Sequence, residues 1–277
     1  MLRNAFAYIT RKWPKSLLLF AIILLMGTLS LIGLSMKGAT QQASSESLGS
    51  ITNSFSMQIN RRTNPGTPRG AGNLRGEDIE KISQVEGITS SIRRINAIAD
   101  ILDHEIIETE ETLQNQSPER AKYFKNTLMV TGVNDSSKED KFVSGAYKLV
   151  QGKHLTDKDK NQILMHEDLA KKNGLKVGDK VRLKSNLYDA DNEKGANETV
   201  EVTIKGLFSG KNQAPLTYAQ ELYEDTLISD LDTAAKLYGN TVQTATYEDA
   251  TFFAKGDQDL DKLIEKIKAL DIPWNYY

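Results

Sequence analysis

The pattern of apolar positions separates the N-terminus of the chain from everything after it. Leu2, Phe6, Ile9 and Trp13 recur at spacings of four, three and four, the period of one helical face, while Arg3, Arg11 and Lys15 fall opposite. Residues 1–16 therefore predict an amphipathic cytoplasmic helix that lies in the membrane interface with Trp13 at headgroup depth, and Pro14 breaks it. Residues 17–36 (LLLFAIILLMGTLSLIGLSM) then carry no charge, and about twenty residues at about 1.5 Å rise cross a hydrocarbon core of about 30 Å. This predicts a transmembrane helix. A cleaved signal peptide would have a shorter apolar region, about 7–15 residues, and Lys37 disfavours a cut after Ala39. Arg3, Arg11, Lys12 and Lys15 precede the span and no acid occurs before Glu46, so the positive-inside bias places the N-terminus in the cytoplasm. Everything after residue 36 is then extracellular.

Beyond the span the periods shorten and alternate. Residues 41–56 are rich in Ser, Gln and Gly, and 63–76 (TNPGTPRGAGNLRG) are crowded with Gly and Pro, so both predict connections. Between them Phe55, Met57 and Ile59 alternate as in a strand. Ile79, Ile82 and Val85 form a helical stripe that Gly87 stops, and 88–102 is β-branched with partial alternation. The segment 108–122 is polar, helical or loose, and 128–133 (LMVTGV) predicts another strand. Near the C-terminus 250–254 is strand-like, Leu260, Leu263, Ile264, Ile267 and Leu270 form a helical stripe, and 272–277 predicts a further strand. The tetrapeptide IEKI occurs in both helices, at 79–82 and 264–267. Two matching helix–strand units indicate an α+β fold of βαβ type, in which 128–133 and 250–254 share one sheet. The middle reads as an inserted strand-rich subdomain, with Val181 and Leu183, then Val200, Val202 and Ile204 alternating around the turn-rich 188–197. The expected organisation is thus 1–16 amphipathic helix, 17–36 span, 37–141 first part of the extracytoplasmic βαβ subdomain, 142–240 insertion, and 241–277 its second part.

Charge and composition narrow the function. With 35 basic against 37 acidic residues there is no global basic field, which argues against a nucleic-acid partner. The chain has 0 cysteines, which excludes disulfides, thiolate metal sites and a cysteine nucleophile.

The order of several motifs points to one family. TGVND (131–135), YKLVQGKHLTDKDKNQILMHEDLAKKNGLKVGDKVRL (147–183), VEVTIKGLFSG (200–210) and DTLISDLDTAAKLYG (225–239) resemble the extracytoplasmic core domain of MacB/FtsX-type ABC transporter permeases. Over the whole chain the likeness is to the Vex-type permease of streptococci. Physically these motifs are structural: Gly152 permits a turn after a strand, Gly174 ends a helix over 167–172, and Gly178-Asp179 turns the chain into a strand at Val181. The resemblance implies a membrane transporter in which a cytoplasmic ABC ATPase subunit drives two permease subunits, as a homo- or heterodimer, in the lipid membrane. It also implies three further membrane helices after this domain. None follows within the sequence, so the chain is expected to be an incomplete permease.

Local chemistry offers no rival. Residues 206–212 (GLFSGKN) approach a phosphate loop but have three residues between the glycines rather than four, and Asn212 stands where magnesium needs Ser or Thr. A strand-end turn is the better reading. Asp189, Asp191 and Glu193 open like a calcium loop, yet Lys194 replaces its glycine and Val200 its bidentate Glu, so a solvated acidic hairpin is expected. His104, His154 and His166 lack metal-ligand spacing and read as surface or turn residues, and no GxSxG elbow is present. The sequons at Asn115, Asn134 and Asn197 would matter only in a eukaryotic secretory protein. No catalytic, cofactor-binding or metal residue is expected, and no enzyme activity. The remaining rival to a permease is a single-span membrane-anchored extracellular binding module.

Overall fold

The computed structural model of the protein describes residues 53–212, 221–256 and 259–277, together with Pro14, Leu24, Met26 and Thr28. The chain divides into two compact units, Met1–Gly49 and Ser50–Tyr277. In the first, those four residues are helical and exposed, and the Thr28 hydroxyl donates to the Leu24 carbonyl at 3.0 Å. The rest of the span expected over 17–36, and all of 1–16 except Pro14, lie outside the described residues. Among the described residues no helix is long and apolar enough to cross a membrane.

The second unit is mixed α and β. It opens with β1 (Asn53–Met57), β2 (Leu74–Arg75), α1 (Gly76–Ser83) and β3 (Ile88–Leu102). Ile79 and Ile82 of α1 are buried, Glu77 and Asp78 occupy its first turn, where the helix dipole favours negative charge, and Gly87 at φ +107° turns the chain into β3. The chain continues through α2 (Glu110–Gln114), α3 (Pro118–Tyr123), β4 (Thr127–Val133), α4 (Asp140–Val143), β5 (Lys148–Gly152) and β6 (Gln162–His166). Then come α5 (Glu167–Lys172), β7 (Lys180–Ser185), β8 (Thr199–Ser209), β9 (Thr226–Ser229), α6 (Leu231–Lys236), β10 (Thr246–Tyr247), β11 (Asp249–Ala254) and α7 (Leu260–Lys268).

Strand β11 lies between β1 and β3 and is antiparallel to both, so β1 and β3 run parallel and α1 is the crossover of a split βαβ unit. On its other side β3 pairs with β4, from Arg94 opposite Val133 to Asp100 opposite Thr127. The segments around 128–133 and 250–254 therefore join one sheet through β3, as the two matching helix–strand units predict.

Past β4 the pairings close on themselves. β4 is parallel to β9, β9 antiparallel to β6, β6 parallel to β8, β8 antiparallel to β7, and β7 antiparallel to the far end of β3 at Ala99 to Leu102. The ring β3-β4-β9-β6-β8-β7 is a small barrel, and closure removes the strand edges that an open sheet exposes. Strand β5 pairs with β8 outside the ring. Alternate residues Leu128 and Val130, Ile163 and Met165, Val181 and Leu183, and Val202 and Ile204 join one buried cluster, as the two-residue period requires of a single face. A second, smaller cluster holds Val133, Tyr147, Leu155, Leu164, Phe208 and Ile228.

The strand expected at 272–277 does not form. Trp274–Tyr276 is a short 3-10 turn, because β11 already has a neighbour on each side and Pro273 lacks a backbone donor. The turn instead binds the loop after β1: Asn60 N–H donates to Tyr276 O at 2.8 Å, Asn60 Nδ2 to Asn275 O at 3.2 Å, and the Thr63 hydroxyl also donates to Asn275 O.

Candidate functional site

At Val133 strand β4 ends while β3 runs on toward Ile88, and a cleft of about 710 Å³ opens there. Its size falls within the range of small-ligand and peptide sites, but its lining is polar. The first half of β3 supplies Thr89, Ser90, Ser91 and Arg93, the loop before β6 supplies Thr156, Asp157, Asp159 and Lys160, and residues 230–232 and 241–243 complete the border.

Most charges around the cleft are spoken for. Asp230 caps α6 by accepting from Thr233 N–H at 3.0 Å, and its other oxygen accepts from Gln162 N–H at 2.9 Å. Asp159 pairs with Lys205 at 2.5 Å; partial burial works against its charge, yet the bonds from Lys205 and Thr156 hold the carboxyl below the usual carboxylate range. Arg93 meets Glu80 at 3.3 Å, and Asp232 meets Lys236 at 2.6 Å. Ser90 Oγ is buried without a hydrogen-bond partner among the described residues. Hydroxyls and compensated charges suit a surface that binds by hydrogen bonds.

A second constellation sits on residues that the sequence reads as a solvated hairpin, and the structure corrects that reading. Asp189 is buried and the Asp191 side chain nearly so; only Glu193 is exposed. Arg69 Nε lies 2.8 Å from Asp189 and 3.0 Å from Asp191, and Arg69 N–H donates to Asp191 at 2.8 Å. Arg69 Nη2 donates to the Tyr238 hydroxyl at 3.0 Å, which also accepts from Ile98 N–H at 2.9 Å and donates to Asp189. Burial pushes the Asp189 carboxyl up, and the Tyr238 and Arg69 contacts only partly offset it. Three loops and strand β3 are thus joined through a protein cation held between two loop carboxylates and a buried tyrosine. Arg69 lies in a Gly- and Pro-rich stretch more than a hundred residues upstream, and no local signal marks it.

The decisive observation is the extent of likeness to known chains. Residues 16–270 match the MacB-like periplasmic core domain. The chain belongs to that family. Over an alignment of 304 residues it is 22% identical to a protein described as an uncharacterized ABC transporter permease, YclI of Bacillus subtilis (strain 168). That alignment covers 100% of this chain and 61% of YclI, so the chain spans less than two thirds of the curated relative it matches. Among solved structures, the periplasmic region of MacB from Actinobacillus actinomycetemcomitans aligns at TM-score 0.43 and 17% identity, covering 80% of this chain and 86% of that one. The extracellular domain of the ABC-type transporter YknZ from Gram-positive bacteria aligns at TM-score 0.41 and 12% identity, over 76% and 88%.

Within this MacB-like domain the other singled-out residues stay apart. His166, expected at the surface, is buried: its Nε2 donates to Gly210 O at 2.9 Å while Nδ1 accepts from Asp168 N–H at 3.1 Å, capping α5. His154 is half-buried, 2.9 Å from the Ser136 hydroxyl and edge-on to Phe142, and burial lowers its pKa. His104 sits in the turn after β3, half-exposed. Gly206 lies within β8, where a Cβ would meet Gln151 O at 2.8 Å, and Asn212 Oδ1 accepts from Tyr223 N–H at 2.8 Å, so the glycine run serves strand packing. Asn115 and Asn197 are exposed, and Asn134 bonds to β3.

Proposed function

We propose that the chain is the permease component of an ABC transporter of the MacB/FtsX type, of the Vex-like branch. In this reading residues 1–16 lie in the cytoplasm, 17–36 cross the cell membrane, and residues 142–240 are inserted between the two parts of an extracytoplasmic domain. That domain couples ATP hydrolysis in a cytoplasmic partner subunit to export or mechanotransmission, beside a second permease subunit. In this reading the chain itself performs no catalysis, and ATP hydrolysis belongs to the partner subunit. The observation that carries the reading is a family match running unbroken from residue 16, at the start of the apolar run, to residue 270. The charge asymmetry around that run supports the orientation.

The alternative of a single-span binding module draws on the polar cleft. The two separate in one experiment, made clean by the 0 cysteines of the chain. With Asp157→Cys, reactivity toward an impermeant maleimide is measured with the partner ATPase held in its ATP-bound form and nucleotide-free. A coupled permease changes its labelling rate between the two. Identical rates would leave only the binding module.

A further inference from the structure

The loop after β7 carries two apolar side chains into solvent. Leu187 is 51% and Tyr188 59% exposed, although Asn186 and Asp189 on either side of them are buried. The exposure is therefore built in. Asn186 Oδ1 accepts from Tyr188 N–H at 2.9 Å, and its Nδ2 donates to Tyr123 O at 2.9 Å and to Asp100 Oδ1 at 3.0 Å. One buried amide thus ties the backbones of both tyrosines to β3, and their rings meet with centroids 3.9 Å apart at 36°. Phe124, at the end of α3, lines the same pocket of about 440 Å³.

The surroundings of this aromatic platform narrow what it can hold. Lys122 Nζ stands 4.8 Å from the centre of the Tyr123 ring, and Arg120 Cζ stands 5.3 Å from that of Phe124. Protein cations already cover these aromatic faces and would repel a cationic ligand. Glu119 on the pocket border, with Glu108, Glu110 and Glu111 nearby in the chain, denies the site the basic excess that an anionic ligand or lipid surface needs. Asn115 and Glu119 stand exposed on the border, without a side-chain partner among the described residues. What fits is an uncharged molecule with a flat apolar face and a rim of hydroxyls. A pyranose of glucose configuration is such a molecule: its axial C–H bonds point above and below the ring, and its hydroxyls lie around the edge. The C–H face packs on the negative face of an aromatic ring, while an amide and a carboxylate supply donors and acceptors for the hydroxyls.

We propose that this platform binds a saccharide built from glucose-type pyranoses, with one ring stacked on the face of Tyr188 turned from Tyr123 and its hydroxyls bonded to Asn115 and Glu119. Because Asn186 holds both tyrosines in place before any ligand arrives, little ordering is lost on binding. The pocket lies within the volume range of small-ligand sites, so a short stretch of the saccharide makes the contact. The site shares no residue with the polar cleft and does not depend on whether the chain transports anything.

The test uses the full chain in lipid nanodiscs, free of glycoside detergent, with cellotetraose and chitotetraose as probes in an NMR titration. The expected result is saturable binding of one or both at millimolar or lower concentration, weakened about tenfold or more by Tyr188→Ala and by Tyr188→Leu and retained by Tyr188→Trp. Tyr188 is exposed, so these variants leave the core intact, and the loss with leucine separates ring stacking from apolar contact alone. Slowed hydrogen exchange at the Leu187 amide should accompany binding. Absence of saturable binding of either saccharide, or equal binding by the parent chain and Tyr188→Ala, would overturn the proposal. So would protection of the Leu187 amide in nanodiscs without saccharide, relative to a detergent lacking a sugar headgroup, since lipid would then be what covers the platform.

Discussion

Tyr238 donates its phenolic hydrogen to the carboxylate of Asp189, and the same oxygen receives the N–H of Ile98 from the middle of β3. Burial of the hydroxyl raises its pKa, so it stays protonated and keeps donating throughout the physiological range. The bond makes a loop 49 residues away part of the sheet's support.

Tyr238→Phe removes that oxygen and leaves Ile98 N–H and one oxygen of Asp189 without their partner. Unmet buried groups cost about 1–3 kcal/mol, so the urea midpoint should fall with the slope of the transition unchanged. A midpoint equal to that of the parent protein would show that water replaces the hydroxyl at no loss.

Gly132, inside β4, faces α6 so closely that a Cβ would lie 2.4 Å from that of Ala234. Gly132→Ala must push the helix off the sheet, at about 1–3 kcal/mol. The double variant Gly132→Ala with Ala234→Gly should recover much of the loss, and chemical denaturation of both reads the coupling.

Asp225 supplies a pH dependence. Burial, with a smaller push from Glu224, raises its carboxyl to about 8, while the bond from Ile107 N–H at 2.7 Å opposes the rise. A carboxyl whose folded pKa lies above its unfolded value of about 3.9 lends stability that is complete below the unfolded value and is lost as pH climbs through the folded one. The parent protein should therefore lose stability from about pH 4 to about pH 8, and Asp225→Asn should flatten that slope. Thermal unfolding of both across this window decides it, since parallel curves would mean that Asp225 does not carry the effect.

Orientation is testable without any structure of the N-terminal unit. On intact cells, Ser50→Cys should react with an impermeant thiol reagent and Lys15→Cys should not. Labelling in the opposite sense would reverse the topology derived from the basic residues ahead of 17–36.

The short-range parts of this fold were legible in the chain. Strands β3, β4, β7, β8 and β11 and helices α1 and α7 each carry their own period, and a period is a local property that side-chain burial enforces residue by residue. Closure of the barrel was not, because β7 meets β3 through Ser185 opposite Ala99, and no repeat records a pairing between distant strands. The same limit hid Arg69, whose partners Asp189 and Asp191 are set by folding rather than by spacing. His166 and Asp189 were misjudged for one reason: polarity predicts exposure only until a cap or an ion pair satisfies the group inside. The family resemblance was visible in motif order, whereas the cleft exists only once β4 is seen to stop at Val133.

The β1 edge has a mechanical consequence. Asn53 to Met57 is held to β11 by five successive pairs, and just beyond it Asn60 and Thr63 are fastened to the turn at Trp274–Tyr276. A pull on Asn53 along the strand axis loads every rung together, in shear, and draws on the fastening behind it. A pull across the axis peels the rungs singly, beginning with Asn53 opposite Ala254. The domain is therefore stiff to tension in one direction and yielding in the other, so the angle of an applied force decides whether it is passed on to the sheet or spent in unzipping its edge.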